Sequence, residues 1–124
     1  MDTMLPGKIQ GMAPSEWAAL VDKARTFLVG IAAERRTTTY AAMMDALGTD
    51  RFKLNYVLGD VTKNEMDAGR PALSALVLYV DKVKPGGGFT AWCQNNGWLA
   101  KDATDKEAYY YWLDQIVQCW TRWS

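Results

Sequence analysis

The chain has 124 residues, of which 49% are hydrophobic and 23% charged, with 14 basic side chains against 14 acidic ones and no histidine. That length is one domain, able to bury a core without disulfide or metal staples. Zero net charge lacks the basic excess of many nucleic-acid binders, and the missing imidazole removes the commonest general base, zinc ligand and triad partner.

Residues 1–14, with Pro6, Gly7, Gly11 and Pro14 and no period, are expected to form a flexible N-terminal arm, and residues 15–124 a single domain. No secretory segment opens the chain, so Cys93 and Cys119 are expected to be reduced, packed thiols in a cytoplasmic protein. Ser15 is placed as an N-cap. Behind it Trp17, Leu20, Val21, Ala24, Leu28 and Ile31 repeat at helical spacing, which predicts a helix to about Ala33. Thr39 caps a second helix, Tyr40 to Leu47, with Tyr40, Met43, Met44 and Leu47 on one stripe and Gly48 as its left-handed stop. Thr49 or Asp50 caps a third, in which Leu54, Val57, Leu58 and Val61 recur and which ends before Gly69. Two helices so closely linked make a helix-turn-helix.

After Arg70 and Pro71 the run "LSALVLYV", Leu73 to Val80, is rich in aliphatic and β-branched residues and predicts a strand. It is far too short to span a membrane. "DKVKPGGGF" predicts a turn back, with Val83 in a short partner strand. Phe89 to Leu99 reads as a short helix broken near Asn96 and Gly97, and "TDKE" from Thr104 is a capping box opening a last helix to the C-terminus. The predicted class is mainly α with a small β element, a winged helix-turn-helix-like single domain with an added C-terminal helix.

In a winged helix the helix after the tight turn enters the major groove and the wing reaches the backbone. Arg51, Lys53, Asn55 and Tyr56 are then expected to approach bases and phosphates, with Lys82 and Lys84 on the wing. From Arg35 to Lys84 there are eight basic and six acidic residues, an excess of two, while both flanks are slightly acidic. Asp60, Glu65 and Asp67 would oppose phosphates on the same face, so the expected binding to double-stranded DNA is weak and salt-sensitive. The same helix pair also reads as plain packing with no nucleic-acid role.

"TTTYAAMMDALG", a helix ending near "VLGDVTKN", a strand and a glycine-rich turn together resemble the DNA-binding domain of alkylguanine-DNA alkyltransferases and alkyltransferase-like proteins, over Thr37 to Phe89. The resemblance implies a winged-helix DNA-binding fold. That family places a Pro-Cys-His-Arg motif with its acceptor cysteine on the strand after the recognition helix. Here the stretch reads Leu73-Ser74-Ala75-Leu76, so the acceptor is missing. The arginine that the family inserts into the base stack has no counterpart, its nearest match being Asn55 with Tyr56 beside it. Alkyl transfer is excluded on this alignment. "GRPALSALV" followed by "KPGGGF" is also similar to a pattern of uncharacterised bacterial helical domains, which implies no activity.

No catalytic constellation is expected, and no cofactor or metal. The two cysteines are too far apart for a CxxC unit, "PGGGF" lacks the lysine and hydroxyl of a phosphate loop, and Ser74 has no candidate base. The acidic pairs Asp102 with Asp105 and Glu65 with Asp67 are accounted for by capping and helix-dipole effects.

In "EAYYYWLDQIVQCWTRWS" a stripe of Tyr109, Trp112, Leu113, Ile116, Trp120 and Trp123 is expected to be core, while Tyr110, Tyr111, Val117 and Cys119 spread apolar surface to other faces. Tyr110, Tyr111, Trp120 and Trp123 are therefore candidates for an interface with a homodimer mate or protein partner, extended by Trp92 and Trp98. The alternative function is a protein-interaction module, such as a small inhibitor, an immunity factor or an assembly subunit. Stacking of this tail on single-stranded bases is disfavoured, because only Arg122 lies among its rings.

Overall fold

The computed structural model describes residues 11–78 and 88–124. Residues 1–10 of the expected arm, Lys82, Lys84, Val83 and the rest of the expected wing turn as far as residue 87 lie outside the described residues. The elements follow in the order α1 (Pro14–Ala33), β1 (Thr38–Thr39), α2 (Tyr40–Leu47), α3 (Arg51–Asp67), a 3₁₀ turn (Leu73–Leu76), β2 (Val77–Leu78), α4 (Phe89–Asn95) and α5 (Asp105–Trp123). The fold is mainly helical with a small two-stranded parallel sheet. None of the described helices is long and apolar enough to cross a membrane.

Helix α1 starts one residue ahead of the expected cap. Ala13, not Ser15, is the N-cap: Pro14 takes the first helical position, where a missing N–H costs nothing, and the Glu16 carboxylate accepts the Ala13 backbone N–H at 3.0 Å. Trp17, Ala24, Leu28, Ile31 and Ala32 then face the core. Thr39 caps α2 as expected, its hydroxyl accepting from the Ala42 N–H at 3.1 Å, and Gly48 ends that helix in the left-handed region at φ 66°.

The strand expected over "LSALVLYV" is largely overturned. Leu73 to Leu76 form a 3₁₀ turn and only Val77 and Leu78 are extended, while Tyr79 and Val80 lie outside the described residues. The two extended residues pair with β1 in parallel, Thr38 against Val77 and Thr39 against Leu78, with α2 and α3 forming the crossover. The cause is position. The turn is wedged among α1, α3 and α5, and Ala72 to Val77 are all buried, so apolarity there reflects burial on every side rather than a sheet face.

Polar groups of this buried segment find partners on neighbouring helices. The Ala72 N–H donates to Gln115 Oε1 at 2.8 Å, Trp112 Nε1 donates to the Ala75 carbonyl at 2.8 Å, and the Cys119 thiol donates to the Ala72 carbonyl at 3.4 Å. The Ser74 and Thr62 hydroxyls bond to each other. These demands turn α5 from its expected stripe. The Thr104 and Glu107 capping box forms as expected, with contacts of 3.1 and 2.8 Å, but the buried face is Trp112, Gln115, Ile116 and Cys119. Tyr109 is exposed, and Leu113, Trp120 and Trp123 are only half-buried. Both cysteines are free and buried.

Glu65 departs most from expectation. It belongs neither to an acid–base pair with Asp67 nor to a dipole-stabilised helix end: its carboxylate is 0% exposed and clamped by Arg25 Nε at 2.8 Å and by Arg70 Nε at 2.9 Å and Nη2 at 3.0 Å. The cluster joins α1, α3 and the segment after α3, and the Arg25 guanidinium lies over the Trp123 ring at 5.2 Å, reaching α5. Asp67 is ion-paired with Lys63 at 2.7 Å.

Candidate nucleic-acid interface

Three residues, Gly48, Thr49 and Asp50, join α2 to α3. The left-handed glycine turns the chain, and Asp50 caps α3 by accepting the Lys53 backbone N–H at 2.7 Å. The Lys53 ammonium returns to the same carboxylate at 3.1 Å. The Lys53 backbone bond, followed by its ammonium, holds the Asp50 carboxyl below its ordinary range. The acid nearest the start of α3 is thus matched by a cation of its own turn.

At 3.6 residues per turn, Arg51, Phe52, Asn55 and Tyr56 fall within an arc of roughly 140° on the side of α3 away from its buried positions Leu54, Val57, Leu58 and Val61. Arg51 is exposed, with its guanidinium over the Tyr40 ring at 4.6 Å, which ties the first residue of α3 to the first of α2. Phe52 and Tyr56 are 64% and 52% exposed and tilt against each other at 5.6 Å between centroids. Asn55 is half-buried, and its Oδ1 is enclosed without a hydrogen-bond partner among the described residues. The structure thus brings together three of the four expected helix residues. Lys53, roughly 160° around the helix from Asn55, lies instead in a separate hollow with Met12, Leu20 and Leu47.

Phe52, Asn55 and Tyr56 line a cleft of about 340 Å³ whose other described walls are Gly88 and Trp92. Trp92 is held there by two glycines: a Cβ at Gly59 or at Gly88 would stand 3.3 Å from its indole. Trp92 therefore belongs to the α3 side and does not extend an aromatic patch on α5. Phe52 and Trp92 are the site residues that sequence reasoning missed. Phe52 had a signal, since it lies four residues before Tyr56 and off the buried stripe. Trp92 had none, because its neighbour Gly59 is distant in sequence.

The carboxylates expected to repel phosphate are engaged elsewhere. Glu65 is buried in its arginine clamp, Asp67 pairs with Lys63, and Asp60 Oδ2 accepts from Trp17 Nε1 at 2.8 Å on the α1 side. A larger hollow of about 500 Å³ between α1 and α3 includes Trp17, Asp22, Arg25, Asp60 and Asn64, but its arginine and Asp60 are committed to those contacts.

The four expected interface residues of α5 point in different directions. Tyr110 is 58% exposed, beside Tyr109 and with the Lys106 ammonium 5.9 Å from its ring. Tyr111 is half-buried against Phe89 with its hydroxyl enclosed beside the Cys93 thiol; burial foremost, then the neighbouring Cys93, pushes its pKa up. Trp120 Nε1 donates to the Arg36 carbonyl at 3.0 Å. Trp123 lies between Arg25 and Arg122 with its Nε1 enclosed and unpaired among the described residues.

Ser74 is buried and bonded to Thr62, so the segment aligned with the alkyltransferase acceptor holds no available nucleophile. Burial raises the Cys93 thiol to about 11 and, with Glu65 adding, the Cys119 thiol to about 12, which leaves both protonated and inert. The described residues contain no group of three or more acidic or cysteine side chains placed to hold a metal ion. Comparison with protein-family models, curated proteins and solved structures finds no match.

Proposed function

We propose that the protein is a noncatalytic winged-helix-type module that binds nucleic acid through the first turns of α3. The observation that carries this reading is the joint exposure of Arg51, Phe52 and Tyr56 around Asn55, directly after the tight turn from α2. A helix-turn-helix presents that end of its second helix to a groove. Two further features support the reading: α1, α2, a tight turn, α3 and then β2 keep the element order expected of a winged helix, and Asp50, the carboxylate nearest the start of α3, is paired with Lys53. Binding is weak because few cations serve it. Each phosphate contact steepens the logarithmic salt dependence by about 0.9, so Arg51 with the two lysines expected from the sequence to serve the wing, Lys82 and Lys84, predicts a slope of about −2.7.

Fluorescence anisotropy with labelled DNA at low and moderate salt tests this. Arg51→Ala should reduce the slope by about 0.9. Absence of binding at low salt to duplex and single strand alike would refute the reading.

A second reading, a protein-interaction module, is favoured by one observation: Tyr109, Tyr110 and Val117 are exposed together on the outer side of α5. Light scattering discriminates, since this reading predicts a dimer or captured complex that Tyr110→Ser with Val117→Ser dissolves.

A further inference from the structure

We infer that the cleft beside α3 takes the base of an unpaired nucleotide, so that the module prefers single-stranded or locally unpaired nucleic acid to an intact duplex. The inference rests on the nucleic-acid reading above and deepens it. In a duplex the faces of the bases are covered by their neighbours, and a groove offers only edges, to which an aromatic ring contributes little beyond contact with a thymine methyl. An unpaired base exposes its face, and every base has one.

Phe52 and Tyr56 are the only large apolar side chains of α3 that stand in solvent, and Trp92, seated between two glycines, closes a third side of the same space. At about 340 Å³ the cleft lies at the small end of the range for small-molecule sites, roughly 300 to 1,000 Å³. Asn55 at its wall carries both a donor and an acceptor, the pair that a base edge matches, and its Oδ1 has no partner among the described residues. Arg51, one turn earlier on the same face, sets a cation beside the rings. A charge adjoining aromatic walls matches the alternation of phosphate and base along a single strand.

Three labelled probes decide the matter: an intact duplex, the same duplex with a single-nucleotide bulge of 2-aminopurine, and a single strand containing 2-aminopurine. The bulged duplex and the single strand should bind about tenfold more tightly than the intact duplex, with 2-aminopurine fluorescence quenched by stacking. Tyr56→Ala and Phe52→Ala, both at exposed positions that keep the wild-type melting temperature, should each lose about tenfold on the unpaired probes, a loss several-fold larger than the one each causes on the intact duplex. Equal affinity for all three probes, or quenching that persists in both variants, overturns the inference while leaving nucleic-acid binding intact. Failure of every probe to bind removes both.

Discussion

Replacing Glu65 with glutamine tests whether the clamped carboxylate holds the helices together. The side chain is fully buried and joins Arg25 of α1 to Arg70 beyond α3, with N–O distances of 2.8, 2.9 and 3.0 Å, and Arg25 continues to Trp123. Glu65→Gln keeps the shape but removes the charge between two guanidinium groups and points an amide N–H₂ at one of them. Removing one partner of a buried ion pair costs about 3–5 kcal/mol. Here the lower figure applies, because Arg25 and Arg70 are 34% and 28% exposed and can regain water. An unfolding entropy of about 2.1 cal/mol/K per residue over 124 residues then turns ~3 kcal/mol into a melting temperature lowered by about 12 °C. Differential scanning calorimetry at neutral pH measures it. A shift under about 2 °C would refute the reasoning.

The pH dependence of the same variant checks the sign. Burial pushes the Glu65 carboxyl up, but the hydrogen bonds from Arg70 and Arg25 outweigh it and hold the group below its ordinary value of 4.5. A carboxylate whose folded pKa is depressed contributes stability that is complete above the unfolded value and is lost as pH falls through the folded one. The gap between wild type and Glu65→Gln should therefore be constant near neutrality and narrow once pH drops below 4.5. A gap that widens in acid contradicts the clamp.

Ser74→Ala should cost about 1–3 kcal/mol by leaving the buried Thr62 hydroxyl without its partner, while Ser74→Ala with Thr62→Val should recover most of that loss in urea denaturation. Neither thiol should react with Ellman's reagent at about pH 8 in the native protein, and both should react after unfolding, because burial holds Cys93 near 11 and Cys119 near 12. Gly59→Ala should stay within about 1 kcal/mol of wild type, since a gain in helix propensity of about 1 kcal/mol offsets the tight 3.3 Å approach of a Cβ to the Trp92 indole. Gly59→Val, with branches driven into the indole, should destabilise by about 1–3 kcal/mol and alter Trp92 emission.

What the sequence disclosed and what it concealed divide along a physical line. The caps at Thr39 and Thr104, the glycine stop at Gly48 and the buried repeat of Leu54, Val57, Leu58 and Val61 are local, and each forms as local chemistry dictates. The segment Leu73 to Leu76 is not local. Its conformation is set by groups from α3 and α5, among them Gln115, Trp112 and Thr62, and a short apolar run carries no period that distinguishes a strand from a centrally buried turn. The role of Glu65 was hidden for the same reason, since Arg25 lies 40 residues away in sequence. At the candidate site the exposed side of α3 was legible as the complement of its buried repeat. The opposite orientation of Lys53 was legible too, from its two-residue offset from Asn55. The cleft was not, because one wall comes from Gly88 and Trp92.

The division of α3 into two halves gives the candidate site its rigidity. At Gly59 the outward side of α3 meets the Trp92 indole, and at Glu65 the helix is fixed to α1 through a buried ion cluster, so its second half is anchored while the rings of its first turns stand in solvent. A binding face is precise when it stands on an element anchored elsewhere, and the Glu65 ion cluster lies nine residues, about two and a half turns, beyond the last exposed ring, Tyr56. The two functions should therefore separate. Glu65→Gln, assayed well below its lowered melting temperature, should bind unpaired DNA with wild-type affinity, whereas Tyr56→Ala should lose affinity at unchanged stability. If Glu65→Gln loses affinity while fully folded, the arginine cluster also sets the geometry of the reading face, and the two halves of α3 form one cooperative unit.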